Sequence, residues 1–226
     1  MLFRQFFDSE SSTYTYLLAS ASGREAILID PVKEQVASYL KVIEQLDLKL
    51  VRAIDTHTHA DHITGLGELR AREHCVTMMG EFSKADCVSE KFRENDRIVV
   101  DGIELRALYT PGHTHESFSL VMQDRVFTGD TLLIRGTGRT DFQGGDPEKS
   151  WDSIVNKLFK LPDETLVFPA HDYKGWTCSS IAEEKHFNPR LANKTREQYI
   201  EIMHNLDLPD PKMMDVAVPA NLACGR

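Results

Sequence analysis

A run of six residues, His57-Thr58-His59-Ala60-Asp61-His62, constrains this chain more than any other sequence feature. It directly follows Leu50–Ile54, an apolar segment that predicts a β-strand. Residues two apart in an extended segment project to the same side, so His57 and His59 are expected to converge on one point. Imidazole and carboxylate groups are ligands that divalent metals prefer, and the run therefore predicts a metal site.

Further histidine and aspartate residues follow predicted strands in the same way. His113 ends the segment Thr110-Pro111-Gly112-His113, in which proline and glycine predict a tight turn after a strand. Asp130 follows Thr128-Gly129, and His171 follows Phe168-Pro169-Ala170. Functional sites in open α/β sheets lie just beyond the carboxyl ends of strands, so these three residues are expected to join the first run.

Strand-like and helix-like segments alternate along the chain. The predicted strands are Leu2–Phe7, Thr13–Leu18, Ala26–Ile29, Leu50–Ile54, Arg97–Val100, Ile103–Tyr109, Phe118–Met122 and Leu166–Phe168. The predicted helices run from about Lys33 to Leu46, from about Ala60 to Glu73, from an N-cap at Asp146, and near Ser179–His186 and Thr195–Leu206. No linker-like composition interrupts them, so one domain over residues 1–226 is expected, with two β-rich halves closed by helices.

Net charge and hydropathy exclude several classes of partner. The formal net charge is −9, which argues against nucleic acid or an anionic membrane as a partner, because both favour a basic surface. No apolar run approaches the ~20 residues that span a bilayer, and no secretory signal core follows the N-terminus. The four cysteines form no C-x-x-C pair, so they are interpreted as thiols of a reducing compartment, and a cytoplasmic location is expected.

The ordered set H-x-H-x-D-H, P-G-H, G-D and A-H resembles the metallo-β-lactamase superfamily over almost the whole chain. The resemblance implies an α/β fold, an αββα sandwich in which two packed mixed sheets are flanked by helices. It also implies two metal subsites at one edge of the sandwich. His57, His59 and His113 would line the first, Asp61, His62 and His171 the second, and Asp130 could reach both.

Two activities within that superfamily compete. The segment Gly138-Arg139-Thr140-Asp141-Phe142-Gln143 resembles the persulfide dioxygenases, as do 169–173, 188–191 and 218–221. The alternative is a glyoxalase II-like hydrolase that uses two metals to cleave glutathione thioesters. Such hydrolases hold glutathione with a helical C-terminal domain. Here one clear helix and a proline-rich tail are expected after Arg190, which favours the dioxygenase.

The dioxygenase resemblance implies one Fe(II) per chain, held by two imidazoles and one carboxylate from His57, His113 and Asp130. His59, Asp61, His62 and His171 would then act in catalysis by orienting ligands and waters through hydrogen bonds. The implied reaction oxidises glutathione persulfide with O2 and water to sulfite and glutathione, in sulfide oxidation. The resemblance also implies a homodimer.

Three residues are candidates for binding the glutathione part of the substrate. Arg139 and Arg190 are the cations of the resembling segments, and a guanidinium group binds a carboxylate in a forked geometry. The alternative for each arginine is a surface salt bridge. Tyr173, two residues beyond His171, could donate a hydrogen bond to the peptide or to sulfur.

Overall fold

Strands and helices alternate in a computed structural model that describes residues 1–209 and 213–226. The strands are β1 (Leu2–Asp8), β2 (Thr13–Ala19), β3 (Glu25–Ile29), β4 (Lys49–Ile54), β5 (Val76–Gly80), β6 (Glu90–Phe92), β7 (Arg97–Val100), β8 (Ile103–Tyr109), β9 (Phe118–Val121), β10 (Arg125–Gly129), β11 (Leu166–Pro169) and β12 (Ser179–Ser180). The α-helices are α1 (Val36–Gln45), α2 (Leu66–Glu73), α3 (Pro147–Asn156), α4 (Ile181–Phe187), α5 (Arg196–His204) and α6 (Met214–Leu222). Short 3-10 turns cover Lys33–Gln35 and Leu158–Lys160.

All eight strands predicted as ranges from apolar and alternating segments are confirmed to within a residue at each end. β5, β6 and β12 were not predicted, and only the carboxyl end of β10, at Thr128-Gly129, was predicted. Their sequences are short and break alternation with Gly80, Lys91, Gly129 or paired serines, so pairing with a neighbouring strand fixes them rather than their own pattern.

Two corrections concern helices. The helix expected from Ala60 begins only at Leu66, and a second helix, α6, follows α5 where a proline-rich tail was expected. Residues 210–212 of that tail lie outside the described residues. Pro219 lies inside α6, in its second half, so proline content alone was a misleading signal there.

The residues cluster into two compact units. The first contains Met1–Phe92, Asp96–Leu105 and the C-terminal segment, and the second contains Arg93–Asn95 and Arg106–Pro209. In the first unit the strand order is β1-β2-β3-β4-β5-β6, with antiparallel pairing from β1 to β3 and parallel pairing from β3 to β6. The second sheet has the order β12-β11-β10-β9-β8-β7 and pairs β10 with β11 in parallel. Two mixed sheets accompanied by helices confirm the predicted α/β class.

Each unit has an apolar core between its sheet and its helices. In the first unit α1 contributes Val36, Tyr39 and Ile43, which lie on one face at helical spacing, as the sequence predicts. In the second unit Ile154 of α3 and Tyr199 of α5 pack with strand residues that include Val126 and Val167. These cores hold the sheets rigid beneath the loops that follow their strands.

The cysteine expectation is wrong for two of the four residues. Cys87 and Cys224 form a disulfide, with an S–S distance of 2.10 Å. The fold brings their Cα atoms to 6.0 Å although they are 137 positions apart in sequence, and no local spacing could have indicated that pair. Cys75 is a buried thiol and Cys178 an exposed one.

A helix able to cross a membrane needs a long apolar stretch. Within residues 1–209 and 213–226, no helix is both long and apolar enough.

Candidate metal centre

The loop that follows β4 carries the histidine-rich run. Its rings lie close together: the ring centroids of His57 and His59 are 4.2 Å apart, and those of His59 and His62 are 4.3 Å apart. Ligand atoms of His59, Asp61 and His62 all lie within 4.8 Å of one another. The loop therefore brings these three side chains together, and their role as metal ligands stays a prediction.

Asp61 and His62 lie in this loop and not at the start of a helix. The reason is a set of tertiary backbone contacts: Lys33 N donates to Ile63 O at 2.9 Å, and Gly65 N donates to Pro31 O at 2.7 Å. These bonds hold residues 63–65 against the segment that follows β3, where Val32 and Thr64 form an isolated β-bridge. The helix starts only once those contacts end, with Gly65 at the N-cap of α2.

Asp30 contacts the loop through hydrogen bonds, and it was not among the residues predicted from the sequence. Its buried carboxylate accepts hydrogen bonds from Thr56 N at 2.7 Å and Thr56 Oγ1 at 3.1 Å, and Oδ1 lies 3.2 Å from His59 Nε2. Burial raises the pKa of Asp30, while the nearby His57 and the Thr56 bonds act in the opposite direction. The available signal was its position directly after the strand Ala26–Ile29, the same position that singled out Asp130.

Thr56 connects Asp30 to His57 through hydrogen bonds of its hydroxyl group. Because the single hydroxyl proton of Thr56 is donated to Asp30, Thr56 Oγ1 accepts from His57 Nδ1, which is 3.0 Å away. In the neutral imidazole the lone pair of His57 is then on Nε2. A neutral imidazole with a fixed tautomer is the form that binds a divalent metal.

His62 also fits a metal or a metal-bound water. Its Nδ1 lies 3.0 Å from Asp61 Oδ2 and 3.3 Å from Thr13 Oγ1. Its Nε2 is buried and makes no hydrogen bond to any residue that the structure describes. A buried polar nitrogen normally has a hydrogen-bonding partner, and a bound metal or metal-bound water would supply one for His62 Nε2.

The second unit brings together the other three predicted ligands. His113 Nε2 lies 3.4 Å from Asp130 Oδ2, and His171 Nε2 lies 3.7 Å from Asp130 Oδ1. β8 and β10 run in the same direction because both are antiparallel to β9, and β11 is parallel to β10. The residues that follow these three strands therefore meet at one sheet edge, as predicted.

A backbone carbonyl fixes the His113 ring. His113 Nδ1 donates to Arg139 O at 2.8 Å, since a carbonyl oxygen can only accept, and the lone pair of the neutral ring is on Nε2. Gly138 permits this approach: a Cβ at this position would lie 2.2 Å from Asp130 O and 2.9 Å from the His113 ring. The glycine of the Gly138-Arg139 pair thus has a direct steric role at the site.

The three candidate substrate residues have different surroundings. The Arg139 guanidinium forms a two-bond ion pair with Asp141, both N–O distances being 2.7 Å, and also donates to Pro209 O. The hydrogen bonds between Arg139 and Asp141 lower the pKa of the Asp141 carboxyl group. Arg190 donates to Thr137 O at 2.6 Å, and burial lowers its pKa. Tyr173 is 72% exposed, and its ring stacks on His171 with a centroid distance of 6.0 Å.

Comparisons with known proteins identify the family of the chain. The model of the metallo-β-lactamase superfamily matches residues 9–84 and 88–171. The mitochondrial persulfide dioxygenase ETHE1 of Mus musculus is 45% identical over 228 residues, covering 100% of this chain and 89% of the relative, and that of Homo sapiens is 44% identical with the same coverage. The crystal structure of ETHE1 from Myxococcus xanthus matches with a TM-score of 0.98 and 54% identity, and covers 100% of both chains.

The matches extend over the whole chain rather than over a shared core. They include Gly138–Gln143, the segment whose sequence favoured the dioxygenases over the hydrolases. The chain belongs to the metallo-β-lactamase superfamily and, within it, to the persulfide dioxygenase family.

Proposed function

We propose that this protein is an Fe(II)-dependent persulfide dioxygenase that converts glutathione persulfide, O2 and water to glutathione and sulfite. The observation that carries the proposal is the full-length relationship to persulfide dioxygenases. The chain also keeps a His/Asp donor set at strand ends. The two O2 atoms and one water oxygen account for the three oxygens of sulfite. The same comparisons disfavour the glyoxalase II-like alternative.

In the proposed site one Fe(II) per chain is held by His57, His113 and Asp130, two imidazoles and a carboxylate. Bound iron would supply the redox capacity that transfers electrons from the persulfide to O2. The hydrogen bonds at Nδ1 of both histidines support this ligand set, because each leaves the lone pair of the neutral ring on Nε2, the form of imidazole that binds a metal.

The other residues of the two loops act on substrate and water in this proposal. Asp61, bonded to His62 Nδ1, keeps the buried Nε2 of that ring available to accept the proton that the reacting water loses. His59 is held by Asp30, and His171 lies beside Asp130, so both rings have fixed positions from which to orient ligands. Fixed rings reduce the entropy lost when the reactants assemble.

We assign glutathione binding to Arg139, Arg190 and Tyr173. The Arg139 guanidinium is already held in one orientation by Asp141, and this would let it bind a glutathione carboxylate without first losing side-chain freedom. Tyr173 is exposed beside His171, where its hydroxyl could donate to the tripeptide.

The test is oxygen uptake on an electrode after fresh glutathione persulfide is added to Fe(II)-loaded protein, with the Asp130→Ala variant as control. We expect rapid uptake with one sulfite formed per O2, and loss of both in the variant. Absence of uptake above the control would refute the dioxygenase, and release of glutathione from a glutathione thioester by the same sample would favour the hydrolase.

The proposal also covers organisation and location. We treat residues 1–226 as a single metallo-β-lactamase-like domain acting as a homodimer in the cytoplasm, with no nucleic acid or membrane partner. The mammalian relatives carry names that place them in mitochondria, so subcellular fractionation would decide between the two compartments. Limited proteolysis and sedimentation would test the domain and the dimer.

A further inference from the structure

The buried amide of Asn221, near the end of α6, contacts the histidine-rich loop at three points. Its Nδ2 donates to His59 O at 2.8 Å and to His62 O at 2.9 Å, and its Oδ1 accepts from Thr64 N at 2.8 Å. The residue is only 2% exposed. One side chain therefore uses both amide protons and its oxygen to connect three positions of a loop 157 to 162 residues away in sequence.

This loop depends on such contacts because it has little regular structure of its own. Residues 55–65 form neither helix nor strand, apart from the isolated bridge at Thr64. The carbonyls of His59 and His62 are the backbone groups next to the rings that the loop must orient. Bonds of good length to both carbonyls limit rotation of the peptide planes that carry those rings.

The C-terminal segment that carries Asn221 is itself firmly attached. The disulfide joins Cys224 to Cys87, and Gly67 N donates to Cys224 O at 3.0 Å. Two glycines allow this close approach: a Cβ at Gly67 would lie 2.3 Å from Cys224 O, and one at Gly225 would lie 2.2 Å from Thr64 O. The amide is thus presented to the loop from a fixed support.

We propose that Asn221 is a positioning residue that holds the His57–His62 loop in its metal-binding conformation. It acts through the backbone and touches neither metal nor substrate. The inference rests on the proposed function only in assuming that this loop supplies a metal ligand.

The test uses Co(II) as the probe, in the absence of persulfide. Asn221→Asp keeps the shape of the side chain and the acceptor for Thr64 N, but replaces the donor with an oxygen that faces two carbonyls. We expect this variant to bind Co(II) roughly 10-fold to 100-fold more weakly than wild type in a competition titration, as for other supporting groups of metal sites. We also expect its visible Co(II) absorption bands to shift.

Asn205→Asp is the matched control, because Asn205 Nδ2 also donates to a backbone carbonyl, that of Glu201, but at an exposed position in the second unit. It should bind Co(II) as wild type does, with the same spectrum. Asn221→Ala, measured in the same way, provides a second variant without the added charge.

The outcomes separate the two proposals. Folded Asn221 variants with wild-type Co(II) affinity and spectrum but a lower melting temperature would mean a merely structural role and overturn the inference. It would equally be overturned if neither variant folded, or if wild type bound no Co(II). Weakened Co(II) binding in an enzyme that shows no persulfide-dependent oxygen uptake would uphold the inference and refute the proposed function.

Discussion

His57 and His113 reach the same tautomer by different routes. A threonine hydroxyl that is itself bound to buried Asp30 accepts from His57 Nδ1, whereas the main-chain carbonyl of Arg139 accepts from His113 Nδ1. The difference matters for mutagenesis. Substitution of Thr56 or Asp30 removes a group that orients the proposed metal ligand His57, whereas substitution of the Arg139 side chain leaves the carbonyl that accepts from His113 in place.

Arg139→Ala is therefore expected to affect substrate binding and not iron binding. We expect KM for glutathione persulfide to rise about fivefold to tenfold, equivalent to about 1–1.4 kcal/mol, with iron content unchanged. Steady-state kinetics and metal analysis of the purified variant would check this.

Arg125→Ala is a suitable comparison, since Arg125 makes a similar two-bond pair with the adjacent Asp124. It should leave the kinetics unchanged. Wild-type KM in the Arg139 variant would remove Arg139 from the substrate site.

Cys75 provides a pH-dependent prediction. Burial raises the pKa of its thiol to about 11, from 9.0 in the unfolded chain. The folded state therefore favours the protonated form, and this contribution to stability is complete below about pH 9 and declines as the pH rises toward 11.

In the native protein at pH 8 we expect iodoacetamide to modify exposed Cys178 and to leave Cys75 unmodified, as mass spectrometry would detect. In denaturant both should react. Equal modification of both thiols in the folded protein would contradict the burial of Cys75.

At the scale of elements, helix boundaries follow local chemistry only where no tertiary contact overrides it. α3 begins where the sequence predicts, since the Asp146 side chain accepts from Glu148 N at 2.9 Å and from Lys149 N at 3.1 Å, with Pro147 at the first helical position. α2 begins six residues later than predicted, because bonds to the segment after β3 hold residues 63–65 outside a helix.

Asp146→Ala should lower the free energy of unfolding by ~1 kcal/mol, because two backbone N–H groups lose their acceptor. Urea denaturation followed by circular dichroism would measure the change. Asp152→Ala, in the same helix but exposed and away from its N-terminus, should change stability by less than ~0.5 kcal/mol. Equal effects of the two substitutions would argue against capping.

At the scale of the whole molecule, a disulfide joins Cys224, in the C-terminal segment, to Cys87. The disulfide spans 137 positions and fixes the segment that carries Asn221. A cross-link over so long a loop removes much of the entropy of the unfolded chain. It also ties the stability of the protein to the redox state of its surroundings, which the expectation of a reducing compartment did not include.

Cys87→Ser should cost about 2–5 kcal/mol and lower Tm by roughly 4–20 °C under oxidising conditions. Reduction of the wild type with a phosphine should produce a similar decrease, which calorimetry would measure.

Cys178→Ser, which removes an exposed free thiol, should leave Tm unchanged in both conditions. A wild-type Tm that does not respond to reduction would mean that the bond contributes little to stability.

The sequence by itself determined the fold class, most strands, the α3 cap and the residues of each loop that gather as potential ligands. Strand periodicity, capping residues and ligand chemistry are local properties, and the carboxyl ends of strands that run in the same direction meet at one sheet edge whatever their length. Only the tertiary structure decided the roles of Asp30, the Arg139 carbonyl, Asn221 and the disulfide. Those roles depend on contacts between residues up to 162 positions apart, or on main-chain atoms that every residue possesses, and neither leaves a pattern in neighbouring letters.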